Sequence, residues 1–292
     1  MSILAISGRK TSGKDAIGKI IQYLTGESTV YPFDLNIDYS HKSNWEVKKF
    51  ADKLKDIICL LINSTREQLE DESFKSKELG EEWWYWYMER DGGYSPIILD
   101  YLTTTKKELK SYEGLELIKP TPRFLLQFIG TNLLRDQLHP EIWVNSLMSE
   151  YKPYPKGTAH NLKDWSELYR HTSCKNCGKS YLGWKRQSLC KKCIEDNSVQ
   201  FYPSWCITDM RFPNEMEAVK KKGGITIRVN RPCEICGGSG YHKMSCPVSK
   251  SGEHYSENAI DKSEFDYIIN NDSDIQSLIE KVREILKKEK LI

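Results

Sequence analysis

Residues 2–24 read SILAISGRKTSGKDAIGKIIQYL. The run SILAIS is short and almost wholly apolar, the composition of a strand buried on both faces of a parallel sheet. From residue 14 to about residue 24 the apolar positions recur at helical spacing. Between them lies GRKTSGKD: Gly8, Arg9, Lys10, Thr11, Ser12, Gly13, Lys14 and Asp15. A strand, a turn of pattern GxxxxGK and a helix are the parts of a phosphate-binding loop. The glycines let backbone N–H groups turn inward around an anion, and the helix N-terminus adds a favourable dipole. Lys14 then reaches the β- and γ-phosphates of a nucleoside triphosphate. The competing reading is a surface turn with a chance lysine, and the flanking strand and helix argue against it. Asp15 departs from the general pattern, in which a Ser or Thr hydroxyl ligates magnesium. Its carboxylate either joins the magnesium shell or only favours the first turn of the helix.

Further along, strands and helices alternate. A helix is expected over residues 45–62 (WEVKKFADKLKDIICLLI), and STREQLED looks like a capped helix start with Ser64 ahead of Glu67. Residues 122–150 read as two helices broken near His139-Pro140. A short strand over 205–208 (WCIT) ends at Asp209, followed by a helix over 213–222 and a strand over 225–229. Another strand is expected over 265–269 and an amphipathic helix over 275–288. This alternation indicates an α/β fold with a parallel sheet flanked by helices.

The chain has 292 residues, 39% hydrophobic and 29% charged, with a formal net charge of +2. That balance fits a globular protein and does not point to duplex DNA or a membrane surface. There is no basic segment followed by an apolar one at the start, and no apolar run nears the ~18 residues of a membrane span. A cytoplasmic protein without a membrane partner is expected.

Of nine cysteines, Cys59 and Cys206 sit alone in apolar stretches and read as core residues. The others cluster. CKNCGKSYLGWKRQSLCKKC gives CxxC–x12–CxxC, with Cys174, Cys177, Cys190 and Cys193 as a four-thiolate zinc ribbon. Such a site has no open position and is structural. CEICGGSGYHKMSC gives CxxC–x5–HxxxC, with Cys233, Cys236, His242 and Cys246 as a second zinc set. His254 is an alternative to His242 as its fourth ligand. The ribbon is basic, so nucleic-acid binding competes there with a plain metal staple for an insertion too small to hold a core, and the staple is favoured.

Asp209 stands where phosphate-loop enzymes hold magnesium through water, and Arg211 follows it toward the same mouth of the sheet. Arg123 and Arg135 lie on the predicted helices after Pro122, and Gln127 shares one helix face with Arg123. Arginine grips phosphate in a bidentate fork. A solvated surface charge is the competing reading for each arginine, most of all for Arg135 and Arg228.

The ordered blocks GRKTSGKD, FADKLKD, TPRFLLQFIGTNLLRDQLHPEIWV, DMRFPNEMEAVKKKGGITIRVNRP, HYSENAI and FDYIINND resemble the phage-type deoxynucleoside monophosphate kinases. They cover perhaps half of the chain. Residues 64–118, 151–201 and 232–252 fall outside them. In that family Asp after GK is usual, so Asp15 is no departure there. The resemblance implies a phosphate-loop nucleoside monophosphate kinase fold that moves the γ-phosphate of ATP to a deoxynucleoside monophosphate, giving dNDP and ADP. It implies ATP phosphates on residues 8–15 with Lys14, and the monophosphate on Arg123 and Gln127. Arg135 and Arg211 are taken as further substrate contacts, and Asp209 and Arg211 organise metal and phosphates. Magnesium falls to Asp15 and Asp209, and Arg231 and residues 254–257 lie at or near a mobile lid. No general base is needed, because a phosphate oxygen of the acceptor attacks directly.

The expected organisation is a phosphate-loop core with the monophosphate-binding part over 1–150 and a zinc-ribbon insertion over 151–201. A core strand–helix–strand over 202–231, a zinc-stapled lid over 232–258 and a last strand and helix over 259–292 complete it. The lid assignment rests on similarity to kinases that staple theirs with zinc. Alternatives are a phosphate-loop kinase of another small molecule and a nucleic-acid-binding zinc protein on the same scaffold. The low net charge counts against the second, so the expected partners are small nucleotides. The run WWYWY (83–87) is either core or a wall for a base. The sequence leaves the base and the oligomeric state open, a homodimer being one option.

Overall fold

The computed structural model describes residues 2–26, 32–88, 115–153, 169–174, 178–184, 192, 202–233, 235, 237–238 and 259–292. The chain forms two compact units, one from Met1–Phe50 and Val144–Ile292, the other from Ala51–Trp143.

The first unit is built on a five-stranded sheet. Its strands are β1 (Ser2–Gly8), β2 (Trp45–Lys48), β7 (Ser204–Ile207), β8 (Ile225–Asn230) and β9 (Tyr267–Asn270). They lie in the order β2-β7-β1-β8-β9, and every neighbouring pair is parallel. β1 is central, and Ile3, Leu4, Ala5 and Ile6 are buried, as its unbroken apolar run predicts. Leu4 and Ile6 face one layer, where α1 (Lys14–Thr25) and the C-terminal helix α8 (Ile275–Lys288) pack together. Ile17, Ile20 and Ile21 of α1 and Leu278, Ile279 and Val282 of α8 form that core. Ile3 points to the opposite face, where Val219 of α7 (Pro213–Lys221) covers it. A second pair of strands in this unit, β5 (Tyr169–Ser173) and β6 (Ser180–Trp184), is antiparallel.

The second unit carries the helices α2 (Asp52–Leu61), α3 (Arg66–Glu70), α4 (Glu72–Ser76) and α5 (Pro122–Gln127). Leu54, Ile58, Leu69, Leu125 and Trp143 are buried apolar residues of this unit. Thr121 caps α5 by accepting the Phe124 N–H at 3.1 Å, with Pro122 in the first turn. The chain continues as an 11-residue π-helix, Phe128–Leu138, and stops at His139, whose extended backbone suits the residue before Pro140. α6 (Ile142–Met148) follows, and from Val144 onward the chain belongs to the first unit. The aromatic run becomes part of β3 (Tyr85–Met88), paired antiparallel with β4 (Leu115–Ile118). Trp84 donates from Nε1 to the Leu79 carbonyl at 2.9 Å.

Two expectations are corrected. Residues 45–62 are not one helix: Trp45–Lys48 is an edge strand, and the helix starts only at Asp52. Pairing of WEVK with β7 and burial of Trp45 outweigh the helical spacing of the apolar residues. The capping box of α3 sits one residue later than read. Thr65 accepts the Gln68 N–H, and the Gln68 side chain accepts the Thr65 N–H. Both S/T-x-x-E/Q registers fit STREQ, and local pattern does not choose between them. Among the described residues no helix is long and apolar enough to cross a membrane.

Candidate phosphate-binding site

β1 has β7 on one side and β8 on the other. The strand order reverses direction there, and open parallel sheets bind ligands in the crevice beyond the strand ends at such a point. The turn Arg9–Gly13 occupies that position. Gly8, which closes β1, admits no side chain, since a Cβ there would lie 2.4 Å from Ser12 Oγ and 2.6 Å from the Val229 carbonyl oxygen. Gly13 caps α1 with φ 102° and ψ 17°, a backbone that favours glycine. Thr11 also has positive φ, 64°, and strain of this kind gathers at ligand-binding turns.

Lys14 folds back over the turn. Its Nζ donates to the carbonyls of Gly8 and Arg9, each at 2.6 Å. The Ser12 N–H donates to the Arg9 carbonyl at 3.2 Å, and the Ser12 hydroxyl is buried with no hydrogen-bond partner. From the end of β9, Asn271 clamps the turn. Its Nδ2 donates to the Ser12 carbonyl at 2.9 Å while its backbone N–H donates to Asn230 at 2.7 Å. Arg231 reaches the Thr11 carbonyl from Nη1 at 3.5 Å, the long limit of a hydrogen bond.

Asp15 does more than start a helix. Its Oδ1 accepts from the Thr208 hydroxyl at 3.1 Å and meets Lys49 Nζ at 2.9 Å. The first turn of α1 is thereby tied to the ends of β7 and β2. Desolvation pushes the Asp15 carboxyl up, but the Lys49 charge and hydrogen bond, the Thr208 hydroxyl and the Lys14 charge outweigh it, and the net shift is downward. Cys206 lies below; burial first, then the Asp15 charge, holds its thiol far above the ordinary range, so it is an inert core residue. An open cleft of about 530 Å³ runs beside Asp15, bordered by Lys19, Gln22, Trp45 and Lys49 among others.

Asp209 follows Thr208 directly, and its Oδ1 accepts the Phe50 N–H at 2.8 Å. The next residues are held by Glu215, which sequence reasoning missed. Its carboxylate is buried, and Oε2 accepts the N–H groups of Arg211 at 2.7 Å and Phe212 at 3.2 Å. The signal is a Glu three residues after the N-cap, hidden because the cap is Phe212 rather than Ser or Thr. Asp15 and Asp209 therefore supply hard oxygen donors of the kind magnesium takes.

Arg123, Gln127 and Arg135 belong to the second unit. Arg123 Nη2 meets Glu72 Oε2 of α4 at 2.5 Å. Gln127, one turn on, is exposed, and Arg135 is half-buried on the π-helix.

The two cysteine segments share one backbone turn. The Cys174 N–H donates to the Lys179 carbonyl at 2.9 Å, and the Gly178 N–H donates to the Cys174 carbonyl at 2.8 Å. The Cys233 N–H donates to Gly238 at 2.9 Å, and the Gly237 N–H to Cys233 at 2.7 Å. Gly178 and Gly237 have φ of 70° and 66°, so both CxxCG sequences turn through a left-handed glycine. The first turn joins β5 to β6. Cys177, Cys190, Cys193, Cys236, His242, Cys246 and residues 254–257 lie outside the described residues. Among the described residues no group of three or more His, Cys, Asp or Glu side chains could hold a metal.

Searches against known protein families and curated protein sequences find no match to this chain.

Proposed function

We propose that this protein is a deoxynucleoside monophosphate kinase, transferring the γ-phosphate of ATP to a dNMP to give dNDP and ADP. The observation that carries the reading is the turn after β1. It stands at the reversal of strand order, with Gly13 left-handed at the head of α1 and Lys14 drawn across its carbonyls. The ordered sequence blocks supply the acceptor.

On this reading the loop N–H groups and Lys14 take the β- and γ-phosphates. Lys14 leaves two backbone carbonyls to do so, and the Asn271 clamp keeps the turn in shape while it moves. Asp15 and Asp209 are the carboxylates that would hold magnesium, which would supply charge neutralisation to the phosphates. Glu215 sets the backbone of Arg211, whose guanidinium would meet the transferred group. Arg123 and Gln127 grip the acceptor monophosphate, with Arg135 and Arg231 as further cations. Catalysis is then positioning and charge neutralisation, with no protein base.

Zinc enters as a structural partner. The repeated CxxCG turn suits two thiolates on one metal, and two such turns support a ribbon on Cys174, Cys177, Cys190 and Cys193 and a stapled lid on Cys233, Cys236, His242 and Cys246. A lid there limits water access and suppresses ATP hydrolysis. ATP and dNMPs make the cytoplasm the place of action.

The test is a coupled assay of ADP formation with ATP, magnesium and a panel of dNMPs, run beside Lys14→Met. Acceptor-dependent turnover that Lys14→Met loses by about a thousandfold or more, the scale of a lost transition-state charge contact, supports the reading. Turnover with another small acceptor and none of the dNMPs would reject the acceptor and keep the loop. Salt-sensitive retention of DNA without kinase activity would favour a nucleic-acid-binding protein.

A further inference from the structure

Arg9 is the first residue of the turn after Gly8. Its carbonyl accepts from Lys14 and from the Ser12 N–H, so its backbone is part of the loop itself. Its side chain reaches an acidic residue far along the chain. Arg9 Nη2 meets Asp261 Oδ2 at 3.0 Å. The other oxygen of the same carboxylate, Oδ1, holds Nη2 of Arg228. Arg228 was expected at the surface, but its side chain is only 7% exposed. It donates from Nη1 to Ser7 Oγ at 3.2 Å, and its guanidinium lies 5.8 Å from the Phe265 ring centre. One carboxylate therefore serves two guanidinium groups at the edge of the phosphate loop.

The two halves of this bridge are not equivalent. Arg228 is buried on a strand, and a buried cation stripped of its carboxylate is costly. Arg9 and Asp261 are 18% and 25% exposed, and a part-exposed pair is held weakly. The Arg9 half is the one that can open. Guanidinium forks onto phosphate oxygens in the same bidentate way as onto a carboxylate, so a phosphate can replace Asp261.

We propose that Asp261 is a resident counter-anion of the phosphate loop: it holds the Arg9 guanidinium in reserve, and the phosphates of a nucleoside triphosphate take Arg9 over on binding. Asp261 keeps Arg228 throughout, so the buried charge is never exposed. Arg9 is then a triphosphate contact whose affinity is set by competition with Asp261, and Asp261 is a positioning residue. This rests on the phosphate-loop reading above.

The test uses the full chain and inorganic tripolyphosphate, with ATP alongside, measured by isothermal titration at fixed ionic strength. Asp261→Asn removes the Asp261 hold on Arg9 and should tighten tripolyphosphate binding by on the order of fivefold, the scale of one partly exposed ion pair. Arg9→Gln should weaken it, and in the Arg9→Gln background Asp261→Asn should change nothing. A gain that persists without Arg9 comes from the field of Arg228 and overturns the exchange, as does weaker binding in Asp261→Asn. If Asp261→Asn does not fold, the wild type answers. The Arg9 side-chain Nε–H resonance, assigned by its loss in Arg9→Gln, should move on titration while that of Arg228 stays. A wild type that binds tripolyphosphate with Arg9 unmoved refutes the exchange alone. A wild type that binds neither tripolyphosphate nor ATP refutes the phosphate loop and the exchange with it.

Discussion

Replacing Gly13 by alanine separates two costs that the loop combines. The first is backbone. At φ 102° an alanine carries steric strain of roughly 1–2 kcal/mol that glycine does not. The second is a contact. The new Cβ would lie 2.7 Å from Asn271 Nδ2. That nitrogen ends a flexible side chain, so it swings away and gives up its 2.9 Å hydrogen bond to the Ser12 carbonyl, worth about 1 kcal/mol. Gly13→Ala should therefore cost about 2–3 kcal/mol. Asn271→Ala alone should cost about 1 kcal/mol, since it removes the same bond. The double variant should cost no more than Gly13→Ala, because the bond cannot be lost twice, and the coupling should be about 1 kcal/mol. Urea-dependent hydrogen exchange of the β1 amides reads the unit that contains the loop. Additive costs would falsify the clamp, and a Gly13→Ala penalty below about 0.5 kcal/mol would remove the backbone argument as well.

Glu215→Ala leaves the Arg211 and Phe212 N–H groups without their acceptor. It should cost about 2–3 kcal/mol in urea denaturation and lower kcat more than it raises KM, whereas Glu215→Gln, which keeps an oxygen in place, should do less of both. Purified protein should carry about two zinc ions by elemental analysis, with Cys174→Ser and Cys233→Ser each losing about one. Loss of the second should raise ATP hydrolysis relative to transfer. Asp15 has a depressed carboxyl pKa in the fold, so its contribution to stability is complete above the ordinary carboxyl range and fades as pH falls through the lower folded value. Asp15→Asn should flatten the acid-unfolding curve there. The side chain is 70% exposed, so the change should stay below ~1 kcal/mol. An unchanged magnesium dependence in this variant would assign Asp15 to the Lys49–Thr208 tie rather than to the metal.

What the sequence revealed was what is local. SILAIS, the glycine turn and the helix after it each carry their own signal, and the parallel sheet follows from alternation of elements. Residues 275–288 were bounded correctly because an apolar stripe and the Asp274 cap define both ends of the pattern. WEVK failed because its strand exists only through pairing with β7, more than 150 positions away. Glu215 is near in sequence to what it holds but lacks the usual capping residue. Arg228 and Asp261 show the limit most plainly. An arginine in ITIRV looks solvated until the carboxylate 33 residues later is known to reach it. Partners of charged groups are set by topology, and composition does not encode them.

The loop rests with its cations already engaged: Lys14 on two carbonyls, Arg9 on Asp261 and Lys49 on Asp15. A ligand therefore has to exchange partners, and each exchange loses a contact before it gains one. A single orthophosphate can reach only part of this set, because Lys14 and Arg9 are directed to different acceptors. Two or three linked phosphates can engage the loop N–H groups, Lys14 and Arg9 at once, and linkage makes the second and third contacts intramolecular. Affinity should then climb from orthophosphate through pyrophosphate to tripolyphosphate more steeply than added charge alone explains, and the climb should persist at an ionic strength where the Debye length falls to ~3 Å. An affinity ladder that collapses at high salt would mean that the site attracts polyphosphates through its field alone, and that the three engaged cations do not change partners.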